Sequence, residues 1–199
     1  MSTIAAPFGM RPAFHPSGLD RAVALADGIQ AVSTSGNVSL GYAENIFKGA
    51  PVKMNTAGWV ENSSGSEAIQ GAFAGVEWTD STGRRRISPF WPANESFQTG
   101  SLVAYYYSDP NIVYEMQSAG SLAQNSVGDQ YDITNPTTGS TTTGLSSASL
   151  GTTPAGSGST NVMRVINLAP YPDNAWGDSY TIVQVQIALS QYVASINAI

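Results

Sequence analysis

Short apolar segments recur about every ten residues along this chain, and each is bounded by glycine, proline, asparagine or serine. Spacing of this kind is typical of all-β domains, whose strands are short and joined by tight turns. A helix would need apolar residues at a 3.6-residue period, and no segment shows that period convincingly. The pattern therefore predicts an all-β fold, either a single compact β-barrel or a sandwich-like domain.

The last of these segments carries the clearest strand pattern. Val183, Val185 and Ile187 alternate with glutamine and alanine, which places one face of the strand in a core. Earlier in the chain, Asp80–Gly83 has the composition of a turn between two strands. The predicted strands are Arg21–Ala26, Glu44–Lys48, Val52–Met54, Trp59–Glu61, Ala68–Trp78, Arg86–Phe90, Leu102–Tyr107, Ile112–Gln117, Val162–Leu168 and Tyr180–Leu189.

Residues 1–19 differ from the rest of the chain and are predicted to form an extended N-terminal arm, followed by a β-rich domain over residues 20–199. Three prolines in this segment exclude a helix and favour extended backbone. The segment also carries large apolar side chains, which a polar linker would lack, so we expect it to lie on a surface. That surface belongs either to a partner or, if the segment is an N-terminal strand, to its own domain.

A second unusual region spans residues 137–161, where 19 of 25 residues are serine, threonine or glycine. Such a stretch has little apolar surface to bury against the entropy of its chain. We predict long, mobile loops here around one short strand, Thr142–Ser146. Loops of this length are expected to project outward or to become ordered against a neighbouring subunit.

The charge balance excludes several classes of partner. The 199 residues include 8 basic and 14 acidic side chains, for a net charge of −6. Nucleic acid and anionic membrane surfaces both need clustered lysine and arginine, so neither is an expected partner. The chain has no cysteine, which excludes disulfides and thiolate chemistry. We expect no signal peptide and no membrane span, because no long apolar run occurs.

Candidate catalytic groups are few. His15 is the only histidine, so neither a multi-histidine metal site nor a catalytic triad is expected from it, and we assign it a packing or hydrogen-bonding role. Asp173 and Asp178 bracket a loop that could wrap a hard cation, but the spacing favours a simple turn. We therefore predict no enzymatic activity, no cofactor and no metal site.

Arginines and aromatic rings are clustered in two places. An arginine triplet follows the turn at Asp80, where it can pair with acidic groups of a partner or sister subunit, or within the chain with Glu77 and Asp80. Alternation along a strand places Tyr106 on one face and its two tyrosine neighbours on the other, so both faces carry rings that need a cover. Stacking of sugars on these rings is a further alternative. The predicted subunit or partner interface consists of Arg84, Arg85, Arg86, Phe90, Trp91, Tyr105, Tyr106 and Tyr107.

Five short motifs occur along the chain, and their order is more informative than any one of them alone. They are Ala6–Pro12 (APFGMRP), Ile46–Lys53 (IFKGAPVK), Gly71–Asp80 (GAFAGVEWTD), Trp91–Ala93 (WPA) and Asp109–Glu115 (DPNIVYE). In this order they resemble the capsid cement proteins of tailed bacteriophages, which are head decoration or stabilising proteins. The resemblance touches most of residues 5–190.

The resemblance implies a non-enzymatic structural protein of the virion. Such a protein is made in the host cytoplasm, binds the outer surface of the capsid and stabilises the lattice of the major capsid protein. It implies a homo-oligomer, a trimer or a dimer, with the trimer favoured. Two other classes remain open, a carbohydrate- or receptor-binding β-module of a phage particle and a hydrolase with buried carboxylates. The arm residues expected to contact the capsid are Pro7, Phe8, Met10, Arg11, Pro12, Phe14 and His15.

Overall fold

Short strands dominate the computed structural model, which describes residues 3–18 and 21–193. The all-β prediction is confirmed, and of the two predicted architectures it is the sandwich that the chain adopts. One short 3-10 helix, Gln124–Ser126, is the only helical element of these residues. In chain order the strands are β1 (Arg11–Phe14), β2 (Val23–Ala26), β3 (Ala31–Ser35), β4 (Val38–Gly41), β5 (Pro51–Met54), β6 (Val60–Asn62), β7 (Gly71–Thr79), β8 (Arg85–Ser88), β9 (Ser96–Gln98), β10 (Val103–Tyr107), β11 (Val113–Gln117), β12 (Gln130–Thr134), β13 (Ser149–Pro154), β14 (Met163–Leu168) and β15 (Ile182–Ile187).

These strands form three sheets that pack as a sandwich. The first sheet has the order β1-β11-β15-β14-β12-β13, and the second has the order β2-β10-β7-β5-β6 with β8 beside one end of β7. The third is the small sheet β3-β4-β9. All the strand pairs are antiparallel, as expected for short strands joined by turns.

Two apolar clusters hold the sheets together. The first lies on the first sheet, where Tyr114 and Met116 of β11 pack with Val183 and Val185 of β15. The second lies between the other two sheets and is rich in aromatic rings. In it, the indole of Trp91 meets that of Trp78 edge-on at a centroid distance of 5.6 Å. Edge-to-face packing of this kind adds to the stability gained by burying the rings.

The N-terminal segment does not extend away from the domain toward a partner, which was one of the two alternatives predicted for it. Strand β1 pairs with β11 at the edge of the first sheet, and Met10 is 1% exposed within the first core cluster. The Met10 backbone amide also donates to the carbonyl of Gly49 at 2.8 Å. Farther out, the side-chain amide of Gln117 accepts from Ala6 and donates to the carbonyl of Ile4. The segment is thus the strand of its own domain that the sequence left as the alternative.

Glycine at position 9 makes this closure sterically feasible. Its φ is +75°, and a Cβ there would lie 2.5 Å from the carbonyl oxygen of Gly49. Residues with a side chain rarely adopt this backbone conformation, and the close approach leaves no room for one. Gly9 therefore allows the chain to turn into the core just ahead of Met10.

The Ser/Thr/Gly-rich region 137–161 also differs from its prediction. Its strand is Ser149–Pro154, while Thr142–Ser146 forms a turn and two isolated bridges. Leu150 is fully buried in the first core cluster, and the backbone near residue 145 exchanges hydrogen bonds with Lys48. Buried apolar residues such as Leu150 hold this region against the core, and its small side chains let the backbone form hydrogen bonds with neighbouring segments. The prediction of mobile loops is therefore wrong for this region.

Most of the other predicted strands are present, with ends within three residues of the predicted ones. The exception is Glu44–Lys48, where only Ile46 and Lys48 form isolated bridges. Strands β3, β4, β9 and β12 were not predicted, because each is short and has at most two large apolar residues. Within residues 3–18 and 21–193, no helix has the length and apolarity needed to cross a membrane.

Burial of Met10 leads to a prediction about stability. Replacing Met10 with alanine removes buried atoms from the first core, so we expect the free energy of unfolding to fall by about 2–5 kcal/mol. Urea denaturation followed by circular dichroism measures this change. Ile4→Ala is the control, because Ile4 lies in the same segment but is 75% exposed, and its replacement should change stability by less than about 0.5 kcal/mol. Equal, small effects of both substitutions would show that the segment is not part of the core.

Candidate functional site

A groove opens between the N-terminal segment and residues of the second sheet. It has a volume of about 260 Å³ and is mostly apolar. We call it the first groove. Phe8, Pro12 and the ring of Tyr107 line it together with Leu145, and Met10 and Phe73 form its floor in the core. The structure thus brings four predicted arm residues, Phe8, Met10, Arg11 and Pro12, beside one predicted interface tyrosine.

A second groove of about 370 Å³ lies along β7 and β8. Ile87, Pro89 and Tyr105 line it, and its floor includes Val76. The Ile87 side chain is 77% exposed, which is unusual for a large aliphatic residue beside a groove. Lys48 lines both grooves, so the two form one continuous surface. We call this surface the docking face, and its residues are Phe8, Arg11, Pro12, Lys48, Ile87, Pro89, Tyr105, Tyr107 and Leu145.

The three consecutive tyrosines of β10 explain why one strand serves both the core and the face. Tyr106 is buried in the second core cluster, whereas Tyr105 and Tyr107 are half-buried and line the two grooves. The predicted alternation is confirmed. As a correction, Tyr106 is not part of an interface, because its own domain covers it.

Trp91 is a second correction to the predicted interface. Its side chain is fully buried, and its indole N–H donates to the backbone carbonyl of Tyr42 at 3.1 Å. Phe90, the neighbouring ring, is half-buried and stacks on Phe47 at a centroid distance of 5.6 Å. A sugar cannot stack on Trp91 or Tyr106, because both rings lie inside the protein.

Arg11 is paired within the chain rather than free for a carboxylate of a partner. Its guanidinium contacts Glu115 and the hydroxyl of Tyr171, and it stacks over the ring of Phe8 at 4.7 Å. The Tyr171 hydroxyl donates to Glu115 Oε2 at 2.6 Å, and this bond together with burial raises the pKa of Tyr171. The cluster fixes Phe8 at the rim of the first groove.

The remaining predicted arm residues lie on their own domain. Pro7 is half-buried beside Gln117, and Phe14, at the end of β1, pairs with Val113 and keeps 45% of its surface exposed. His15 follows in a turn, where Nδ1 accepts from the backbone amide of Ser17 at 3.0 Å.

His15 also contacts both Ser17 and Asp109, and these three residue types make up the catalytic triad of serine hydrolases. The Ser17 hydroxyl lies 2.7 Å from Nδ1, and Asp109 Oδ2 lies 3.0 Å from Nε2. The second contact lacks the alignment of a hydrogen bond, and Nδ1 is already occupied by the Ser17 backbone amide. None of the three residues lines either groove of the docking face. The arrangement is that of a tethered turn, in line with the hydrogen-bonding role assigned to His15.

The arginine triplet divides between two roles. Arg85 pairs with Glu77 at 2.7 Å and Arg86 pairs with Asp80 at 2.8 Å, so two of the three follow the intramolecular alternative. Arg84 is exposed and has no ion pair among the described residues. The carboxylate of Asp80 accepts hydrogen bonds from Thr82, from the backbone amide of Arg84 and from the guanidinium of Arg86, which hold it at the turn between β7 and β8. This turn positions Ile87 on the docking face.

The loop between Asp173 and Asp178 is a turn. The buried Asn174 side chain bonds the backbone of Ala169 and Ile182, and Asp178 Oδ2 accepts from the amide of Ala175 at 2.9 Å. Elsewhere too, residues 3–18 and 21–193 gather no group of three or more histidine, cysteine or acidic side chains that could hold a metal ion.

Lys48, Ile87, Pro89 and Leu145 belong to the docking face but were not identified from the sequence as functional. Lys48 and Ile87 were assigned to predicted strands, and nothing in the sequence showed that the two segments meet. The alternation along β8 could have indicated that Ile87 is exposed, because Ile87 lies on the same face of the strand as the charged Arg85. Comparisons of the chain with protein-family models, with curated proteins and with solved structures give no match.

The Asp80 turn leads to a pH-dependent prediction. Hydrogen bonds from Thr82 and Arg84, together with Arg86, hold the pKa of Asp80 well below its ordinary value. A depressed pKa in the folded state adds stability above the unfolded pKa of about 4, and that stability is lost as the pH falls further. We therefore expect Asp80→Asn to lower the melting temperature at neutral pH and to match wild type increasingly below about pH 4.

Thermal melts between about pH 7 and pH 2 measure this difference. Asp173→Asn is the matched control, because Asp173 is exposed and makes no described hydrogen bond. Its melting temperature should follow that of wild type across the range. A gap between wild type and Asp80→Asn that stays constant with pH would contradict the role given to the charge.

Proposed function

We propose that this protein is a non-enzymatic structural protein of a bacteriophage virion, which binds the outer surface of the capsid and stabilises the lattice of the major capsid protein. The proposal rests on the family resemblance of the sequence and on one structural observation, the continuous docking face. A single domain with two adjoining apolar grooves and an exposed isoleucine is suited to binding another protein. No nucleic acid or membrane is part of the proposal.

The chemistry of the docking face favours a protein partner with acidic groups. Lys48 lies at the junction of the grooves and has no ion pair among the described residues. Arg84, immediately before β8, is exposed and likewise has no ion pair among them. The chain as a whole carries a net charge of −6, so these cations stand out locally. Apolar grooves beside unpaired cations suit a segment with a large apolar side chain and neighbouring carboxylates.

The free edge of β8 offers a second mode of contact. Among the described strands β8 pairs only with β7, and its residues are largely exposed. An extended segment can add to such an edge through backbone hydrogen bonds while its side chains enter the grooves. The same edge with Arg84 can join a sister subunit, so the proposal includes a homo-oligomer, with a trimer favoured over a dimer.

Capsid binding can be tested with Ile87→Asp. Heads prepared without this protein are mixed with the labelled chain, and the bound copies are counted by mass spectrometry after sedimentation. Full burial of an isoleucine contributes about 1.5–3 kcal/mol, so the variant should bind at least about tenfold more weakly than wild type. Wild type should approach one copy per copy of the shell protein.

Ile4→Asp is the matched control, since Ile4 is 75% exposed against 77% for Ile87 and does not line either groove. This variant should bind as wild type does. Equal binding of Ile87→Asp and wild type would exclude the docking face as the contact surface. Failure of wild type itself to bind heads would reject the capsid function altogether.

A further inference from the structure

A third cavity, remote from the docking face, lies on the opposite edge of the first sheet, between β12, β13 and the segment that leads into β14. It has a volume of about 430 Å³, within the range of about 300–1,000 Å³ usual for small-molecule sites. Its polar lining includes Asp132, Thr152, Thr153, Ser159 and Asn161. We call it the Asp132 cleft. Much of it comes from the Ser/Thr/Gly-rich region, and none of its lining residues belongs to the docking face.

An irregularity in strand pairing creates the cleft. Ile133 pairs with Leu150, and the next pair is Tyr131 with Pro154. Residues 151–153 therefore lie opposite Asp132 alone, and β13 bends away from its neighbour. A Cβ on Gly151 would lie 2.9 Å from the Asp132 carbonyl oxygen, so glycine is needed where the bend begins. Bulges of this kind often occur at binding sites, where they open a sheet edge and redirect side chains.

The polar groups of the cleft are largely unused by the protein itself. Asp132 Oδ1 is buried and has no hydrogen-bond partner. The side chains of Thr152, Thr153 and Asn161 have no described hydrogen bond within the chain, although the Asn161 backbone amide donates to Gln130. A buried carboxylate oxygen without a donor is destabilising, so its presence in the cleft needs an explanation. Burial also raises the pKa of Asp132, and the Val162 backbone amide opposes this only in part.

These groups select among classes of ligand. Asp132 is the only charged residue that lines the cleft, and its carboxylate repels anions. A hard cation such as Ca²⁺ would need six to eight oxygen ligands, usually with several carboxylates. A neutral ligand with neighbouring hydroxyls fits better, because each hydroxyl can donate to Asp132 and accept from the Asn161 amide or a threonine hydroxyl.

We propose that the Asp132 cleft binds a neutral sugar through hydrogen bonds from adjacent hydroxyl groups to Asp132 and Asn161. No aromatic ring lines the cleft, so binding depends on hydrogen bonds alone and has millimolar affinity, about −4 kcal/mol. The site is separate from the docking face, and binding needs only the isolated chain. It is also distinct from the stacking on aromatic rings that the sequence suggested.

The test is a titration of the ¹⁵N-labelled chain with glucose, galactose, mannose and N-acetylglucosamine, each added alone. In ¹H–¹⁵N correlation spectra, at least one sugar should cause saturable shifts confined to residues 130–134 and 149–162. Asp132→Ala should weaken that binding about tenfold or more, because it removes a hydrogen bond to a charged group. Asn161→Ala, a second variant, should weaken it severalfold.

Asp173→Ala is the matched control, because it removes an exposed carboxylate outside the cleft and should leave the affinity unchanged. The spectrum of each variant also reports whether it is folded. The proposal is overturned if no sugar of the panel causes saturable shifts, or if folded Asp132→Ala and Asn161→Ala variants bind as wild type does. Saturable shifts of the same amides with Ca²⁺ alone, but with no sugar, would assign the cleft to a cation instead.

Discussion

The insertion of the N-terminal strand into the first sheet is the interaction on which the rest of the structure depends. Met10 fills the first core, and its backbone amide reaches Gly49 beside the second sheet. The pair formed by Arg11 and Glu115 locks the strand to β11. Burial of one methionine side chain contributes about 1.5–3 kcal/mol, and the backbone bonds of the segment to β11 and to Gly49 add to it. Without this strand the first sheet would lose its edge strand, and the first groove would lose one wall.

The docking face follows from this closure. The N-terminal segment, held by β11, brings Phe8 and Pro12 beside Tyr107, whose alternate position on β10 leaves its ring half-buried at the surface. On the other side of Lys48, the Asp80 turn presents Ile87 on an unpaired strand. The N-terminal segment and the turn before β8, which are far apart in sequence, thus contribute to one apolar surface around Lys48. A surface of this kind is suited to a protein segment that carries acidic groups.

Local patterns were sufficient to predict the all-β fold, most strands and the exposure of alternate tyrosines on β10, because glycine, proline and period-two patterns act over a few residues. These local patterns could not predict which distant segments pair with each other. An apolar, proline-rich segment suits any sheet edge, and Glu115, the partner of Arg11, is 104 residues away. Burial of Trp91 depends on two sheets at once, because its ring packs on Trp78 of the second sheet and on Phe97 of the third. The Asp132 cleft depends on a register shift between β12 and β13 that no local pattern shows.

Amide hydrogen exchange, measured on the free chain and on the chain bound to heads, tests the central claim most directly. The account predicts that the amides of β1 are as well protected as those of β11 in the free chain, and that binding to heads adds protection only around β8 and the grooves. It would be contradicted if residues 3–18 exchanged at the rate of an unfolded chain when free and became protected only on the particle. That result would make the segment a docking arm instead of a strand of the domain.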